Sequence, residues 1–499
     1  MSASTAGVRP PSMLQSIAPI AVLVVLLASS VWLFGSDSSG GANQMALIFA
    51  AAAGAIIAVR NGHAWRDVER AIIDGIGTAM GAMMILLAVG ALIGTWLAAG
   101  TVPAMIYYGL ELLHPKFFYA AACLICAVAS LATGSSWTVA GTLGVGLIGV
   151  AIGFGVSPAI TAGAVVSGAY FGDKMSPLSD TTNLAPAVAG TDLFTHIRHM
   201  VWTTAPSFTA ALVLFAIVGF NVSIGSESSS LTLMMDTLES SFAITPFALL
   251  PLVVVLAMAS MKLPPLPTIL TGAVLGAVLA FILQPDKLVT LAGDPALATP
   301  VAAFKGAWAA LATGYVASTG VAEVDDLLSR GGMASMLNTI WLIISALAFG
   351  AVLEHAGMLE RLIRSALAAA KSAGSLILAT ALTCIGANIV ASDQYMAIVL
   401  PGRMFKAEFA RRGLSARNLS RVIEDCGTLT SPLVPWNTCG AYMSAALGVA
   451  TFAYLPFAFF NLINPVVSVL YGLFDIKIHR MPPDDPRRTP VPAVDPKLA

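Results

Sequence analysis

The sequence contains little charge. Asp, Glu, Lys and Arg make up only 10% of its 499 residues, whereas soluble domains carry about 25%. The formal net charge is −1, which leaves no basic field for a polyanion. These values exclude a cytosolic enzyme, a disordered chain and a nucleic-acid binder. The 57% hydrophobic content instead predicts a polytopic membrane protein.

Two further absences narrow the class of membrane protein. The five cysteines are odd in number and give no disulfide framework. Cys123 and Cys126 form a CxxC, but it lies in an apolar run and is typical of small core residues. The chain also has no phosphate-binding glycine loop and no Walker-type lysine, so no ATP-driven motor is encoded.

Long apolar runs are what the chain does have. A membrane helix needs about 20 apolar residues, and candidate segments lie at 14–34, 43–60, 75–99, 117–133, 136–154, 200–220, 244–261, 264–284, 334–353, 374–391 and 440–473. The first is long and is followed almost at once by the second, which favours an uncleaved span over a signal peptide. We therefore predict an all-α polytopic fold with about 10–12 membrane segments.

Basic residues predict the orientation of these segments. Lys and Arg cluster at 403–421 and in the C-terminal tail, whereas 221–243 contains neither, and cytoplasmic loops are the ones enriched in Lys and Arg. Both termini are therefore expected in the cytoplasm. The predicted division is a cytoplasmic tail 1–13, a first membrane repeat 14–220, an external linker 221–243, a second, inverted repeat 244–473 and a cytoplasmic tail 474–499.

Weak internal similarity supports two repeats. Gly100 in LIGTWLAAGTVPAMIYYGL corresponds to Gly357 in FGAVLEHAGMLERLIRSAL, and Ser135 corresponds to Ser392, both at a spacing of 257 residues. SPLSDTTN also resembles SPLVPWNT, at a spacing of 255. Because the first half is expected to start inside and end outside, and the second to do the reverse, the halves are predicted to be inverted-topology repeats.

Two polar stretches, 167–192 and 424–444, interrupt the apolar sequence at equivalent places. Pro177, Pro432 and Pro435 should unwind the chain there, and unwound backbone at membrane depth persists only when it is buried in protein or lines a wet cavity. Polar loops at the membrane surface are the alternative. Hard oxygen donors suited to cations such as sodium are concentrated in the two stretches: Asp173, Ser176, Asp180, Thr181 and Asn183 in the first, and Asp425, Asn437 and Thr438 in the second.

A second pair of polar breaks, TGSSWT and NIVASDQ, separates short apolar pieces. These pieces predict re-entrant helical hairpins whose tips bring Ser135, Ser136, Ser392 and Asp393 toward the membrane centre. Ordinary exposed turns between full spans are the alternative. Asp393 is the most informative of the four, because an acid within the membrane is costly unless it binds something.

Basic side chains accompany the first polar stretch. Lys174 is interpreted either as an internal counter-charge for an acid or as a lysine that snorkels to the interface. His196 and His199 lie in DLFTHIRHM, which predicts an amphipathic surface helix with a possible role in sensing pH.

These motifs together resemble the NhaC-type sodium/proton antiporter family. The resemblance rests on GALIGTWLAAGTVPAMIYYGL, TGSSWT, GAYFGDKMSPLSDTTNLAPAVAGTDLFTHIRHM and TLTSPLVPWNTCGAYMS, and covers roughly residues 75–475. It implies a secondary transporter of the bacterial inner membrane that exchanges sodium for protons, with no cofactor and with scaffold and transport parts. It also implies a homodimer. Similar proteins exchange malate or lactate, so the substrate stays open.

The resulting hypothesis is competition between a proton and sodium for buried carboxylates. Asp180 and Asp173 are the preferred sodium ligands, with Asp393 and Asp425 as second-half candidates. The first-half motif ranks ahead because Pro435 stands opposite Asp180 in the second. A carrier of a small organic acid or amino acid is the alternative, and it would need Lys174 or a helix start as an anion clamp. An enzyme is disfavoured, since neither a nucleophile–base pair nor metal ligands on facing helices are apparent, and a channel would not need two polar breaks related by inversion.

Overall fold

Residues 8–34, 40–221 and 228–482 are described by this computed structural model. Within these ranges the regular structure is helical, without a β-strand beyond an isolated bridge between Leu414 and Arg480. Helices satisfy their own backbone hydrogen bonds in lipid, and the predicted all-α polytopic class is confirmed. Parts of the predicted tails 1–13 and 474–499, and of the predicted linker 221–243, lie outside the described residues.

The first half of the chain forms eleven numbered helices. In order they are α1 (Met13–Phe34), α2 (Ala42–Arg60), α3 (Trp65–Thr78), α4 (Met80–Ala98), α5 (Thr101–Leu112), α6 (Phe118–Thr133), α7 (Ser136–Val139), α8 (Val145–Gly153), α9 (Pro158–Met175), α10 (Asp180–Ala189) and α11 (Leu193–Phe220). A π-helical turn, Ala140–Gly144, joins α7 to α8, so that α7, the turn and α8 form one continuous helical segment.

The second half continues this series. Its helices are α12 (Ser228–Ser241), α13 (Leu250–Ser260), α14 (Pro265–Leu283), α15 (Pro285–Ala292), α16 (Thr299–Ala312), α17 (Ala322–Leu328), α18 (Leu337–His355), α19 (Met358–Ala369), α20 (Ala373–Val390), α21 (Gln394–Arg411), α22 (Ala416–Ile423), α23 (Thr438–Leu447), α24 (Thr451–Tyr454) and α25 (Phe459–Leu473). A second π-helical turn, Glu424–Thr428, directly follows α22.

The number of membrane segments agrees with the sequence. Among the described residues, nine helices are long and apolar enough to cross a membrane, or up to 11 if each bent pair counts as one span. One bent pair, Leu231–Ser241 with Pro246–Ser260, turns by 89° and begins inside the predicted linker 221–243. The other, Thr438–Leu447 with Thr451–Phe457, turns by 88°. The external position of the linker stays a prediction.

The sequence analysis misses α9 as a membrane-length helix. Polar residues at its C-terminal end lower its hydropathy, yet most of the helix is buried against protein rather than lipid. It packs along α6 through Gly168 and Gly172, where an added Cβ would clash with the carbonyls of Cys123 and Ala127. This GxxxG spacing lets two backbones approach closely, as is common between membrane helices.

Helix ends recur along the chain at nearly constant spacing. Gly100 and Gly357 are both left-handed (φ 79° and 67°) before α5 and α19, and 357 − 100 = 257. Ser179 and Asn437 cap the N-termini of α10 and α23 through their side chains, and 437 − 179 = 258. This recurrence is compatible with the predicted repeats, whose opposite orientation in the membrane stays a prediction.

The caps also correct one residue pairing. Matching the SPL letters places Pro435 opposite Asp180, but the helix starts place Thr438 there, because 438 − 180 = 258 and both residues are the first of their helices. Sequence matching misaligns the two segments because the second SPL forms a 3₁₀ turn at Ser431–Leu433. This turn lies three residues before the position that corresponds structurally to the first SPL. The second half still lacks an acid at this position.

The contact between α6 and α9 yields a test of the fold. A Gly168→Ala substitution places a methyl group against the Cys123 carbonyl, and overpacking of this kind costs about 1–3 kcal/mol. Gly386→Ala in α20 is the matched control, since nothing lies within 4 Å of its added Cβ. We expect a lower Tm in detergent for the first variant only. Equal Tm values would contradict the packing.

Candidate functional site

A cavity of about 330 Å³ lies where both hairpin tips and both broken segments meet. Helix α3, helix α4 and the start of α14 close its other side. Its lining residues are Thr78, Ala79, Gly81, Ala82, Ile85, Gly134, Ser135, Ser136, Trp137, Asp173, Ser179, Asp180, Thr181, Pro265, Asp393, Gln394, Tyr395, Thr438 and Cys439.

The first hairpin tip turns through Gly134, between α6 and α7. This residue adopts a left-handed conformation (φ 70°), and an added Cβ would meet Leu178 and the backbone of Ser179. Glycine is therefore required both for the turn and for the close approach of the broken segment. Ser135 then caps α7, its hydroxyl accepting a hydrogen bond from the Thr138 N–H at 3.2 Å.

The second hairpin tip turns through Ser392, between α20 and α21. Ser392 is fully buried with φ 59°, a conformation that costs a non-glycine residue about 1–3 kcal/mol. The carbonyl of Ser392 accepts a hydrogen bond from the Thr438 N–H at 3.0 Å. Asp393 caps α21 by accepting from the Met396 N–H at 3.0 Å. Such strain persists mainly at functional sites.

The first broken segment lies between α9 and α10. Asp173, near the end of α9, accepts a hydrogen bond from the Ser136 hydroxyl at 2.6 Å and a longer one, 3.4 Å, from the Ser136 N–H. This carboxylate thus joins the broken segment to the first hairpin tip. Asp180 begins α10 and is exposed, with its side chain on the cavity wall.

The second broken segment runs from the π-helical turn after α22 to α23. Asn437 caps α23, its Oδ1 accepting from the Cys439 N–H at 3.0 Å. Its Nδ2 donates to the Asn388 carbonyl at 3.1 Å, which ties the segment to α20. The next residue, Thr438, reaches the cavity. Each broken segment is therefore fixed by side chains that compensate for lost helical hydrogen bonds.

The structure brings together part of the predicted set. The predicted residues that line the cavity are Ser135, Ser136, Asp173, Asp180, Thr181, Asp393 and Thr438. Six others are not among its lining residues: Ser176, Asn183, Ser392, Asp425, Asn437 and Lys174.

Two of the residues outside the cavity brace the first broken segment. Asn183 donates from Nδ2 to the carbonyls of Pro177 at 2.9 Å and Ser179 at 2.7 Å. The Ser176 hydroxyl accepts from the Leu178 N–H at 3.2 Å. Their side chains thus bond to backbone groups of the broken segment rather than line the cavity.

Lys174 and Asp425 form an ion pair between the two halves of the chain. Both side chains are fully buried, so Lys174 does not snorkel to an interface. Adjacent residues on a helix point in different directions, and Lys174 accordingly faces Asp425 while Asp173 faces the cavity. Any counter-charge role of Lys174 is therefore directed first at Asp425.

The cavity combines acids with helix N-termini. Asp173, Asp180 and Asp393 lie on its wall, and no Lys or Arg is among the described residues that line it. The first residues of α7, α10, α21 and α23 also lie there. Helix N-termini favour negative charge, so these ends support ionised carboxylates. An ionised acid cluster without basic neighbours attracts a cation.

Several lining residues were missed by the sequence analysis. Gln394 accepts hydrogen bonds from the Ser431 hydroxyl at 2.7 Å and the Cys439 thiol at 3.0 Å. Trp137 stacks on Tyr442, with ring centroids 4.0 Å apart. Gln394 directly follows Asp393, so its position next to a predicted tip was an available signal. Cys439 resembled an ordinary core residue and gave none.

The predicted surface helix in DLFTHIRHM is wrong. His196 and His199 are buried, because this segment is the first part of α11 and is covered by α22. Nδ1 of His196 lies 2.9 Å from the Ser420 hydroxyl. The histidines alternate with exposed residues as in an amphipathic helix, but their side faces protein rather than water.

Comparison with known proteins agrees with this architecture. A family model described as the Na+/H+ antiporter family matches residues 168–476, which include both broken segments and the second hairpin. The chain belongs to this family. The predicted recognition is thus confirmed, and the chain is a multi-pass membrane protein of an antiporter family.

Similar antiporters are named for different substrates. The Na(+)/H(+) antiporter NhaC of Alkalihalophilus pseudofirmus is 39% identical over 83% of this chain and 86% of its own. The Malate-2H(+)/Na(+)-lactate antiporter of Bacillus subtilis is 36% identical over 93% of this chain and 95% of its own. The Arginine/ornithine antiporter ArcD of Halobacterium salinarum is 34% identical over 96% of this chain and 95% of its own.

The buried ion pair of this antiporter predicts a stability pattern. Removing one partner with Lys174→Met leaves Asp425 as an uncompensated buried charge, which costs about 3–5 kcal/mol. The double variant Lys174→Met/Asp425→Asn should recover much of this loss, since neither charge remains. Denaturant unfolding in detergent measures both.

The control is the exposed Lys305–Asp294 pair, 3.0 Å apart, where Lys305→Met should have little effect because water screens surface pairs. If the double variant is as unstable as Lys174→Met alone, the loss of stability does not come from the unpaired charge of Asp425.

Proposed function

We propose that this antiporter exchanges sodium ions for protons across the bacterial inner membrane by alternating access, and that both ions compete for the carboxylates of the cavity. The observation that carries the proposal is the convergence of Asp173, Asp180 and Asp393 on one cavity, at the point where the backbone is least regular.

Competition follows from the surroundings of these acids. Removal from water favours a neutral carboxyl group, whereas a bound cation or a donated hydrogen bond favours the ionised form. Asp173 is 7% exposed and Asp393 is 9% exposed. A carboxylate in this position accepts a proton when sodium is absent and releases it when sodium binds. Exchange then needs no covalent chemistry.

The proposed sodium ligands are the oxygens that reach the cavity. Asp173 and Asp180 supply the principal charge, Asp393 supplies a third carboxylate, and Thr181 and Thr438 supply neutral oxygens. Sodium, as a hard cation, is suited to such oxygen ligands. Ser176, Asn183 and Asn437 are proposed to support the backbone around the ion, and Asp425 to pair with Lys174.

The position of the cavity suits alternating access. One wall consists of the hairpins and broken helices, and the other of α3, α4 and α14. Movement of the first group against the second would open the cavity to each side in turn. This division corresponds to the transport and scaffold parts implied by the family resemblance. The homodimer, the inner-membrane location and the cytoplasmic termini stay predictions.

A carrier of a small organic acid or amino acid is the second candidate. The cavity volume of about 330 Å³ lies within the range of small-molecule pockets, roughly 300–1,000 Å³. Lys174 is engaged by Asp425, so a substrate carboxylate would have to bind at the helix N-termini instead. The malate/lactate and arginine/ornithine antiporters among the relatives keep this candidate open.

Replacement of the cavity acids tests the proposal. In proteoliposomes, a sodium gradient should drive a pH change that Asp173→Asn and Asp180→Asn each reduce by roughly tenfold or more, because tenfold corresponds to only about 1.4 kcal/mol. The exposed Asp294→Asn serves as the control. Full exchange in both cavity variants would refute the assignment.

The same vesicles discriminate between the candidates. Malate, lactate or arginine is added to, or left out of, the internal and external solutions while internal pH is followed. A sodium-dependent proton flux without any organic solute would eliminate an obligate organic-acid or amino-acid carrier. A flux that appears only with one of these solutes would favour that carrier over simple ion exchange.

A further inference from the structure

A second polar region lies inside the protein, apart from the cavity. On α25, Asn461, Asn464 and Ser468 are three and four residues apart and fully buried, so they form one stripe along the helix. The stripe faces into the protein, while Val466 on the same helix is 56% exposed toward the expected lipid. A polar stripe buried within a membrane protein is costly and usually functional.

Two neighbouring helices face this stripe with polar stripes of their own. Arg421, Asp425 and Thr428 follow α22 into its π-helical turn and are fully buried. His196 and His199 lie on the adjoining part of α11. We call this group of side chains the polar shaft, defined by Asn464 and Ser468 of α25, Arg421, Glu424 and Asp425 of α22 and its π-helical turn, and His199 of α11.

Many polar atoms of the shaft lack a well-oriented hydrogen-bond partner, although the Ser468 hydroxyl lies near the Asp425 carboxylate. Within the described part of the chain, hydrogen-bond partners of good geometry are absent for both side-chain polar atoms of Asn464, the Ser468 hydroxyl and both carboxylate oxygens of Glu424. The same holds for Oδ2 of Asp425, for Nε and Nη2 of Arg421 and for both ring nitrogens of His199.

Bound water is the simplest way to satisfy these groups. A buried polar group left unpaired costs about 1–3 kcal/mol, and a series of them on three facing helices would be prohibitive in a dry interior. Buried water typically makes about three hydrogen bonds to such groups. The group contains both donors and acceptors, which suits water better than an anion or a metal ion.

The inner end of the shaft approaches the cavity. Asp425 is bonded to Lys174, whose neighbour Asp173 lies on the cavity wall. Glu424 is near Thr181 and Thr428, although neither hydroxyl forms a well-oriented hydrogen bond to it. Since Thr181 also lines the cavity, a short polar step connects the two regions.

The outer end lies beneath the C-terminal segment that follows α25. The Lys477 carbonyl accepts a 3.4 Å hydrogen bond from Nη1 of Arg421, and the Lys477 ammonium lies 3.9 Å from the Trp202 ring centroid. The ring centroids of His199 and His479 are 5.0 Å apart. This end faces the basic segment 411–421, on the side where the sequence predicts the cytoplasm.

We propose that the polar shaft takes up water and carries protons between the cavity and the protein face formed by the basic segment 411–421 and residues 475–482, in the state in which the cavity is closed to the opposite side. The inference rests on the proposed sodium/proton exchange and adds a route for one of the two ions. It assigns Asn464 and Ser468 as residues that position water along that route.

Charge at the outer end keeps free cations such as sodium out of the shaft. Arg417, Arg421 and Lys477 surround this end, and two like charges about 4 Å apart repel by about 4 kcal/mol near a protein surface. Burial, together with the guanidinium groups of Arg417 and Arg421, lowers the pKa of His479. Its ring is therefore neutral near pH 7, with one donor and one acceptor nitrogen that can pass a proton without admitting a metal ion.

Cysteine accessibility tests whether water enters the polar shaft. In a background with the five native cysteines replaced, Asn464→Cys and Ser468→Cys are treated with a small anionic methanethiosulfonate from each side of the membrane. We expect modification of both from the side of the basic segment 411–421. Val466→Cys is the matched control on the same helix and should stay unmodified. No modification at 464 and 468, or equal modification at 466, would overturn the proposal.

Transport measurements test whether the polar shaft carries protons. Two substitutions, Ser468→Val and Asn464→Leu, remove polar groups that would bind water, without adding charge. They should slow sodium/proton exchange by roughly tenfold, which corresponds to about 1.4 kcal/mol in the barrier. Sodium/sodium exchange, measured with radioactive sodium, should remain near the wild-type rate, as should both activities in Val466→Ala. Unchanged sodium/proton exchange in both shaft variants would overturn the pathway.

The two proposals fail differently. Absence of sodium/proton exchange in the wild-type protein would reject the proposed function, and the cysteine labelling would still report whether the shaft contains water. Normal exchange in the wild type with a dry, insensitive shaft would reject only the pathway. Loss of sodium/sodium exchange in Ser468→Val and Asn464→Leu would assign them a structural role instead, and would also overturn the pathway.

Discussion

The requirement that every backbone polar group be satisfied within a membrane determines this architecture. Where the chain leaves the helix, lost hydrogen bonds must be replaced by protein groups. Asn183 and Asn437 do this at the two broken segments, and the hairpin tips pack against those segments through Gly134 and the Ser392 carbonyl. Irregular backbone is thereby gathered in one place, and the acids gather with it.

The sequence predicted this convergence from a few residues with strong local effects. Prolines marked the unwound stretches, and the scarcity of charge made Asp173, Asp180 and Asp393 conspicuous. Their common cavity forms where the two hairpin tips and the two broken segments meet. The sequence alone could not tell which oxygens point inward, because Asp173 and Lys174 are adjacent yet face different directions on α9.

Other features depended on packing across long separations. α9 was not predicted as a membrane-length helix because protein, rather than lipid, covers it, so its polar end is tolerated. The buried face of α11 was mistaken for a solvated one, since an amphipathic pattern does not say what lies on its polar side. The polar stripe on α25 was likewise not predicted, because hydropathy describes its segment only as apolar.

The Lys174–Asp425 pair joins residues that are 251 positions apart, one from each half of the chain. It therefore acts as a cross-link between the two broken segments, without a covalent bond. Two segments held in this way cannot move as independent gates, and a displacement of one is transmitted to the other. The two broken segments therefore form one compound element, distinct from the wall of α3, α4 and α14.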